Sequence, residues 1–209
     1  MPKQFHELLG IPMLWWSVRA FHAEDPATRI VIVLHPGFFD DWDILYAGLP
    51  EADREIPVKV VCGGRNRTHS VANGLMSVDD DADTLVAVHD AARPMLTPEL
   101  VSRMWDAAER SGAAVPVCPE TNSLRRRTGG TTEPVDRSEY VIVQTPQAFR
   151  ADILKSAYAR FGEDSFSDDA SMVQECGYPV EAVEGETRNI KVTNPEDFAI
   201  AGVLMKGDW

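Results

Sequence analysis

The stretch "TLVAVHDAARP", residues 84–94, decides the fold class because it joins a buried strand to a polar loop. Its first half is mostly apolar and rich in valine, which is typical of a strand buried on both faces of a parallel sheet. Its second half places Asp90 and Arg93 among small alanines, which leave room for a ligand. Ligands of open parallel sheets bind beyond the carboxyl ends of the strands, so this loop is a candidate site. An Asp–Arg pair that only fastens the loop is an equally common arrangement.

Four other stretches share the apolar character of this strand. They are "RIVIVL" (29–34), "VKVVC" (58–62), "AAVPVC" (113–118) and "PVEAVE" (179–184). Helical segments lie between them, and this alternation predicts an α/β fold with a doubly wound parallel sheet. The chain of 209 residues shows no repeat and no linker, so we expect a single domain over residues 1–209.

Two of the helices are marked by their ends. Residues 97–112 have Thr97 as the predicted N-cap and Gly112 as the residue that ends the helix. Residues 194–205 repeat the arrangement with Asn194 as the N-cap. In both segments a proline follows the cap, at the first helical position, where its missing N–H does no harm.

The overall charge limits the classes of partner. Twenty Lys and Arg residues against 33 Asp and Glu residues give a formal net charge of −13. Nucleic acid is therefore not expected as a partner, because proteins that bind it usually carry a basic face. An anionic small molecule stays compatible, since it needs only a local cluster of cations. Three widely spaced cysteines, with no membrane-length apolar run or visible secretory signal, indicate a cytoplasmic protein without membrane association.

A second candidate loop, "GGRNRTHS" (63–70), follows the strand at 58–62. Gly63 and Gly64 allow close approach of the backbone, and a helix predicted to begin near Thr68 offers N–H groups to an anion or a base edge. On its own, a glycine pair is more often just a turn.

A third candidate lies near the carboxyl end. The stretch "RNIKVT" (188–193) places Lys191 on a predicted strand directly before the last helix. A lone lysine on a strand would ordinarily point to solvent.

Residues 120–140, "ETNSLRRRTGGTTEPVDRSEY", interrupt the alternation of strands and helices. Gly129 and Gly130 at the centre of this segment predict a β-hairpin arm that projects from the sheet. The three arginines at 125–127 argue against an arm that folds back into a core. They suit either a solvated edge that discourages aggregation or a dimer arm whose cations reach a partner's site.

Seven motifs occur in one order along the chain. They are "PKQF" (2–5), "GGRNRTHSV" (63–71), "VHDAARP" (88–94), "VDRSEY" (135–140), "QTPQAF" (144–149), "DDAS" (168–171) and "NIKVTNPED" (189–197). This series resembles the 2-C-methyl-D-erythritol 4-phosphate cytidylyltransferases, enzymes of the non-mevalonate isoprenoid pathway, over the whole chain. The resemblance implies a Rossmann-like nucleotidyltransferase fold and a homodimer clasped by the arm. It also implies transfer of CMP from CTP to the polyol phosphate, with Mg²⁺ held mainly through the CTP phosphates.

The resemblance also bears on the start of the chain. Family members carry a strand and a loop similar to A-A-G-x-G-x-R-M before the P-K-Q segment, and that loop surrounds the triphosphate. Here about 20 residues of strand and loop are absent, and we expect the given sequence to start late rather than to be a true truncation. The family's first strand lies inside the sheet, so its neighbours would keep unpaired N–H and C=O groups, at about 1–3 kcal/mol for each buried group.

The resemblance assigns roles to individual residues. The catalytic pair, placed at the phosphates around the α-phosphorus, is Lys3 and Lys191. Gly64 and Ser70 fall where the family reads cytosine, and Arg65 stands where some relatives have aspartate. The full set implied for CTP is Gly63, Gly64, Arg65, Ser70, Asp90 and Ala91.

The residues implied for the polyol phosphate are Arg93, Thr121, Arg137 and Thr145. Arg137 lies just beyond the arm, so we expect it to act on the partner subunit's substrate. No protein ligand to a metal is predicted. Helix capping accounts for Asp168 and Asp169, and His89 is interpreted as a packing residue.

Two other functions stay open at this point. Ribitol 5-phosphate cytidylyltransferases share the fold, the motifs and the chemistry, and only the polyol differs. A truncated, non-catalytic dimeric homologue is the second alternative.

Overall fold

The computed structural model describes residues 2–78, 83–161 and 166–207. The strands are β1 (Glu7–Leu8), β2 (Ile11–Pro12), β3 (Ile30–Leu34), β4 (Val58–Cys62), β5 (Leu85–Val88), β6 (Ala113–Pro119), β7 (Arg125–Thr128), β8 (Thr131–Pro134), β9 (Val141–Val143), β10 (Gln147–Arg150) and β11 (Glu181–Glu184). The helices are α1 (Met13–Glu24), α2 (Phe39–Ala47), α3 (Glu51–Arg54), α4 (Arg67–Leu75), α5 (Pro98–Ser111), α6 (Ala151–Phe161), α7 (Asp169–Glu175) and α8 (Pro195–Met205). Among these described helices, none combines the length and the apolar character that a membrane crossing requires.

The main sheet has five strands, in the order β11–β6–β10–β5, with β9 also paired to β6. Strand β11 runs parallel to β6, whereas β10 runs antiparallel to both β6 and β5. The α/β class is therefore confirmed, but the expectation of a wholly parallel sheet is wrong. The strands responsible are β10 and β9, which is also antiparallel to β6. With four and three residues, they are too short to show an apolar period in the sequence.

Helices cover both faces of the main sheet. On β10, Phe149 packs with Leu154 of α6 and Val173 of α7, and all three side chains are fully buried. Its neighbour Ala148 faces the other side and packs with Leu100 of α5. The alternation of side chains along one short strand thus supplies both halves of the core.

The strands β3 and β4 form a separate parallel pair, with Ile30 opposite Val58 and Leu34 opposite Cys62. A cavity of about 830 Å³ lies between β3 and β5, and every residue of both strands lines it. In the described part of the chain, β3 pairs only with β4 and β5 pairs only with β10. All five strands expected from the sequence are present, but they are divided between two sheets instead of one.

The two predicted helix ends are confirmed. Thr97 Oγ1 accepts a hydrogen bond from the N–H of Leu100, and Gly112 ends α5 in the left-handed conformation, at φ +84°. Asn194 caps α8 through the N–H of Asp197, whose carboxylate accepts in return from the Asn194 N–H.

The segment 120–140 contains the expected hairpin. Strands β7 and β8 are antiparallel, with Arg125 opposite Pro134 and with Gly129 and Gly130 in the turn. The hairpin residues are almost all exposed, so within one chain the arm contributes little to the core.

Candidate active site

Asp90 is the centre of a charged cluster just beyond the carboxyl end of β5. Lys191 Nζ lies 2.8 Å and Arg93 Nε 4.0 Å from its Oδ2 atom, while Arg67 Nε lies 3.8 Å from Oδ1. The main-chain N–H of Asp90 donates to Thr145 Oγ1 at 3.0 Å. Three cations from three distant parts of the chain therefore converge on one carboxylate.

The cations keep Asp90 ionised. Burial tends to raise the pKa of Asp90, but the hydrogen bond and charge of Lys191, together with the charge of Arg67, outweigh it and hold the pKa below its ordinary value. The cluster therefore contains one negative and three positive groups at neutral pH, and it attracts anions although the whole chain is acidic.

Arg93 is the most buried cation of the cluster, with 9% of its surface exposed. Its Nη1 donates to the carbonyl of Asn189 at 2.8 Å and its Nη2 to the carbonyl of Val143 at 3.4 Å. Burial lowers the pKa of Arg93 despite the opposing charge of Asp90. The sequence left open whether the Asp90–Arg93 pair fastens the loop or serves a ligand, and these bonds show that Arg93 fastens three segments together.

His89 lies behind the cluster. Its Nδ1 is 3.1 Å from Thr145 Oγ1 and its Nε2 is 3.2 Å from Ser17 Oγ. Burial lowers the pKa of His89 to about 4, so the imidazole is neutral at physiological pH. Both ring nitrogens are engaged within the fold, which agrees with the interpretation of His89 as a packing residue.

Lys191 reaches the cluster from a loop. The expectation of a strand at 188–193 is wrong, because this segment pairs with none of the described strands. Its one main-chain to main-chain hydrogen bond to the Asp90 loop runs from the N–H of Val192 to the carbonyl of Ala92. The side chain of Val192 is buried and anchors the loop. The neighbouring Lys191 is thereby turned toward Asp90, although 45% of its side chain remains exposed.

The glycine loop after β4 is tight because it meets the helix that follows it. A Cβ atom on Gly64 would lie 2.3 Å from the Cβ of His69, so only glycine fits there. The N–H of Gly64 donates to Ser70 Oγ at 3.1 Å, and the N–H of Gly63 donates to the carbonyl of Leu34.

Helix α4 begins at Arg67, next to Thr68, as expected. The side chain of Asn66 caps it by accepting from the N–H of His69 at 2.9 Å. One of the N–H groups that the sequence suggested for a ligand is therefore used by the cap.

Arg67 is one of the residues that the sequence interpretation missed. Of the two arginines in "GGRNRTHS", the resemblance assigns a role only to Arg65, which does not line the cavity. Arg67 shares a face of α4 with Ser70, Val71 and Gly74, and all four line the cavity. The spacing of 0, 3, 4 and 7 residues is the signal that could have identified it once the start of the helix was known.

Three predicted residues lie apart from the cluster. Lys3 is the first residue of the turn Lys3–Phe5, and the residues on either side of it in the chain, Pro2 and Gln4, line the cavity. Arg137 Nη1 donates to the carbonyl of Thr121 at the base of the arm. Within the described ranges, no hydrogen bond or ion pair joins Lys3, Thr121 or Arg137 to Asp90, so their roles stay predictions.

Solved structures similar to this chain belong to one class of enzyme. The crystal structure of 2-C-methyl-D-erythritol 4-phosphate cytidylyltransferase from Thermus thermophilus matches with a TM-score of 0.81 and 38% identity, over 98% of this chain and 94% of that one. A structure of 4-diphosphocytidyl-2C-methyl-D-erythritol synthase matches with a TM-score of 0.82 and 28% identity, over 98% and 95%. Together with the cationic cluster at the strand ends, this fold defines an α/β nucleotidyltransferase.

The family follows from the sequence comparisons. The model of the 2-C-methyl-D-erythritol 4-phosphate cytidylyltransferase family matches residues 1–207, and the chain belongs to that family. The enzyme of that name from Bacteroides thetaiotaomicron is 40% identical over 98% of this chain and 91% of its own length. The one from Bacillus velezensis is 37% identical over 99% and 88%.

Proposed function

We propose that the chain transfers CMP from CTP to 2-C-methyl-D-erythritol 4-phosphate in the non-mevalonate isoprenoid pathway. The products are the CDP-alcohol and pyrophosphate. The family match over residues 1–207 supports the reaction, and the convergence of Arg67, Arg93 and Lys191 on Asp90 is the observation that carries it. The names of the relatives favour methylerythritol phosphate over ribitol phosphate.

The reaction joins two anions, so its main requirement is positive charge in a fixed position. A phosphate oxygen of the polyol phosphate forms a bond to the α-phosphorus of CTP. At the same time the bond between the α-phosphorus and the oxygen that bridges it to the β-phosphorus breaks, and pyrophosphate leaves in line. Lys191 and Lys3 stabilise the charge that develops around the α-phosphorus. The attacking phosphate is already ionised at neutral pH, so the reaction needs no general base and His89 can stay a packing residue.

The loop after β4 is the proposed site for the CTP base and ribose. The loop turns tightly at Gly64, whose N–H donates to Ser70 on the cavity face of α4. Gly63, Arg65 and Ala91 complete the proposed CTP set.

Mg²⁺ is the proposed cofactor, and it would screen the triphosphate charge. The described residues contain no group of three or more His, Cys, Asp or Glu side chains placed to hold a metal. The ionised Asp90 fits a Mg²⁺ ion that is bound mainly by substrate phosphates, because Mg²⁺ often uses a single carboxylate together with phosphate oxygens and water.

We propose that Arg93 and Thr145 hold the polyol phosphate from within the subunit and that Thr121 and Arg137 act from the arm across a homodimer. Strand β9, next to the arm, carries three exposed apolar residues at 141–143 on the edge of the main sheet. An exposed apolar edge of this kind is suited to a protein interface. A cytoplasmic location is part of the proposal, supported by three cysteines that form no disulfide.

Turnover assays test the reaction and its substrate. The purified chain is incubated with CTP, Mg²⁺ and either methylerythritol 4-phosphate or ribitol 5-phosphate, and pyrophosphate and the CDP-alcohol are measured. We expect product with the first polyol phosphate. Product only with ribitol 5-phosphate would reassign the substrate, and product with neither would refute the proposed activity.

Mixing two inactive variants tests the arm. If Arg137 acts across the dimer, Lys191→Ala and Arg137→Ala protomers together form dimers with one intact site, and about a quarter of the wild-type activity returns, since half of the dimers are mixed. If Arg137 acts within its own subunit, the mixture stays inactive.

A further inference from the structure

We propose that Asp169 is a positioning residue that, with Tyr158, holds Arg67 against Asp90 in the active site. The inference rests on the proposed function, because it concerns the charge that the cluster presents to the reacting phosphates. Arg67 belongs to the helix after β4 and Asp90 to the loop after β5, so Arg67 joins the two sheets at the site.

Asp169 is not explained by helix capping. Its neighbour Asp168 is the N-cap of α7, with Oδ1 accepting from the N–H of Ser171 at 2.7 Å. Asp169 is the first helical residue, and its carboxylate turns inward with only 1% of the residue exposed. An isolated carboxylate is very unfavourable at such depth, so its partners decide its role.

Both carboxylate oxygens of Asp169 have partners. Oδ2 lies 2.6 Å from Arg67 Nη2, and Oδ1 accepts a hydrogen bond from the hydroxyl of Tyr158. Burial, together with the charge of Asp169, raises the pKa of Tyr158, so the phenol keeps its proton and remains a donor. The carboxylate is thus fixed on one side by Tyr158 and directed at Arg67 on the other.

Arg67 is held between two carboxylates from different parts of the chain. One edge of its guanidinium meets Asp169, which is 102 residues away, and its Nε lies 3.8 Å from Asp90. Burial works against the charge of Arg67, but the hydrogen bond and charge of Asp169 outweigh it and raise the pKa of Arg67. The bond from Nη2 to Asp169 restrains the direction of the planar guanidinium, although 39% of the Arg67 side chain is exposed.

Asp169→Asn tests the proposal, because it removes the charge and keeps the shape. We expect kcat for cytidylyl transfer to fall about tenfold, as part of the oriented positive charge at the site is lost. Tyr158→Phe should lower kcat by a smaller factor, since Asp169 keeps its charge and loses only one anchor. Asp168→Asn is the matched control: asparagine caps helices as well as aspartate does, so its kcat should equal that of the wild type.

A double-mutant cycle separates positioning from a general structural role. If Asp169 acts through Arg67, the variant with both Arg67→Gln and Asp169→Asn has the kcat of Arg67→Gln alone. Losses that multiply would overturn the proposal. Circular dichroism and thermal melts of each variant exclude a failure to fold as the cause.

A crystal structure of Asp169→Asn gives a readout that does not depend on turnover. We expect the Arg67 side chain to leave Asp90, and an unchanged Arg67 position would overturn the inference even in an active enzyme. If the wild type shows no turnover, the proposed function fails, while the position of Arg67 in the variant still decides the role of Asp169.

Discussion

The loop after β5 and the helix α4, which follows the loop after β4, line the same cavity, but the two loops are held in different ways. The loop after β5 is bound to distant segments, through Asp90 to Thr145 and through Arg93 to the carbonyls of Asn189 and Val143. The loop after β4 is held mostly by local bonds, such as that from Gly64 to Ser70.

This difference separates two tasks. The groups proposed to stabilise the transferring phosphate lie on the side with the long-range network, where a displacement of one group would disturb several others. The groups proposed to bind the base lie on the side of the loop after β4, which is held mostly by local hydrogen bonds. Arg67 is the described side chain that connects the two, because it reaches from α4 to both Asp90 and Asp169.

The largest expected effect tests this division of tasks through kinetics. Lys191→Ala should lower kcat by about 10²–10³-fold and change the KM for CTP much less, because it removes an oriented charge at the reacting phosphate. Ser70→Ala, on the other side of the cavity, should raise the KM for CTP several-fold and leave kcat nearly unchanged. Equal losses of kcat and of CTP affinity in both variants would contradict this division of tasks.

Core truncations sharpen the comparison through stability. Leu154→Ala, in the fully buried core beside β10, should lower the free energy of unfolding by about 3 kcal/mol. Ile32→Ala, on β3 at the wall of the cavity, should cost about 1 kcal/mol, because the side chain is only partly buried. Urea unfolding measures both, and a larger loss for Ile32→Ala would show that the β3 side is the better packed one.

The pH dependence of stability tests the network behind Asp90. The pKa of His89 is lowered from 6.5 to about 4, so between these values the unfolded chain binds more protons than the folded one. The free energy of unfolding should be fully retained above about pH 6.5 and should fall by about 3 kcal/mol as the pH drops to 4. His89→Asn should lose this slope, and His6→Asn, at an exposed position, should keep it.

Hydrogen exchange gives the smallest expected difference. Strand β6 pairs with β9, β10 and β11, whereas β3 pairs only with β4 in the described part of the chain. The amides of β6 should therefore exchange about tenfold more slowly than those of β3, since opening β3 breaks fewer contacts. Mass spectrometry of exchanged peptides would show this, and equal protection would mean that the two sheets open together.

Local patterns predicted the local structure. The strand positions followed from apolar runs, the ends of α5 and α8 from their caps, and the hairpin from Gly129 and Gly130. The direction of β10 and the division into two sheets could not be predicted in this way, because strand pairing depends on contacts between segments that are far apart in the chain.

The same limit applies to the site. Asp90, Arg93 and Lys191 were found from loops and motifs, although the predicted strand around Lys191 is a loop. Arg67 and Asp169 were missed because each owes its role to the other, across 102 residues of chain. Helix capping accounts for Asp168, the first acid of "DDAS". The same explanation was applied to Asp169, so its contact with Arg67 was not anticipated.

The contact between Lys191 and Asp90 also affects which solutes the pocket admits. The ammonium group rests on a carboxylate 2.8 Å away, so an arriving anion must compete with an internal counter-ion before it can use that lysine. Chloride or inorganic phosphate offers little in exchange, whereas a nucleoside triphosphate brings several charges and a base at once. Abundant cellular anions would thus be poor inhibitors, and this selectivity needs no steric gate.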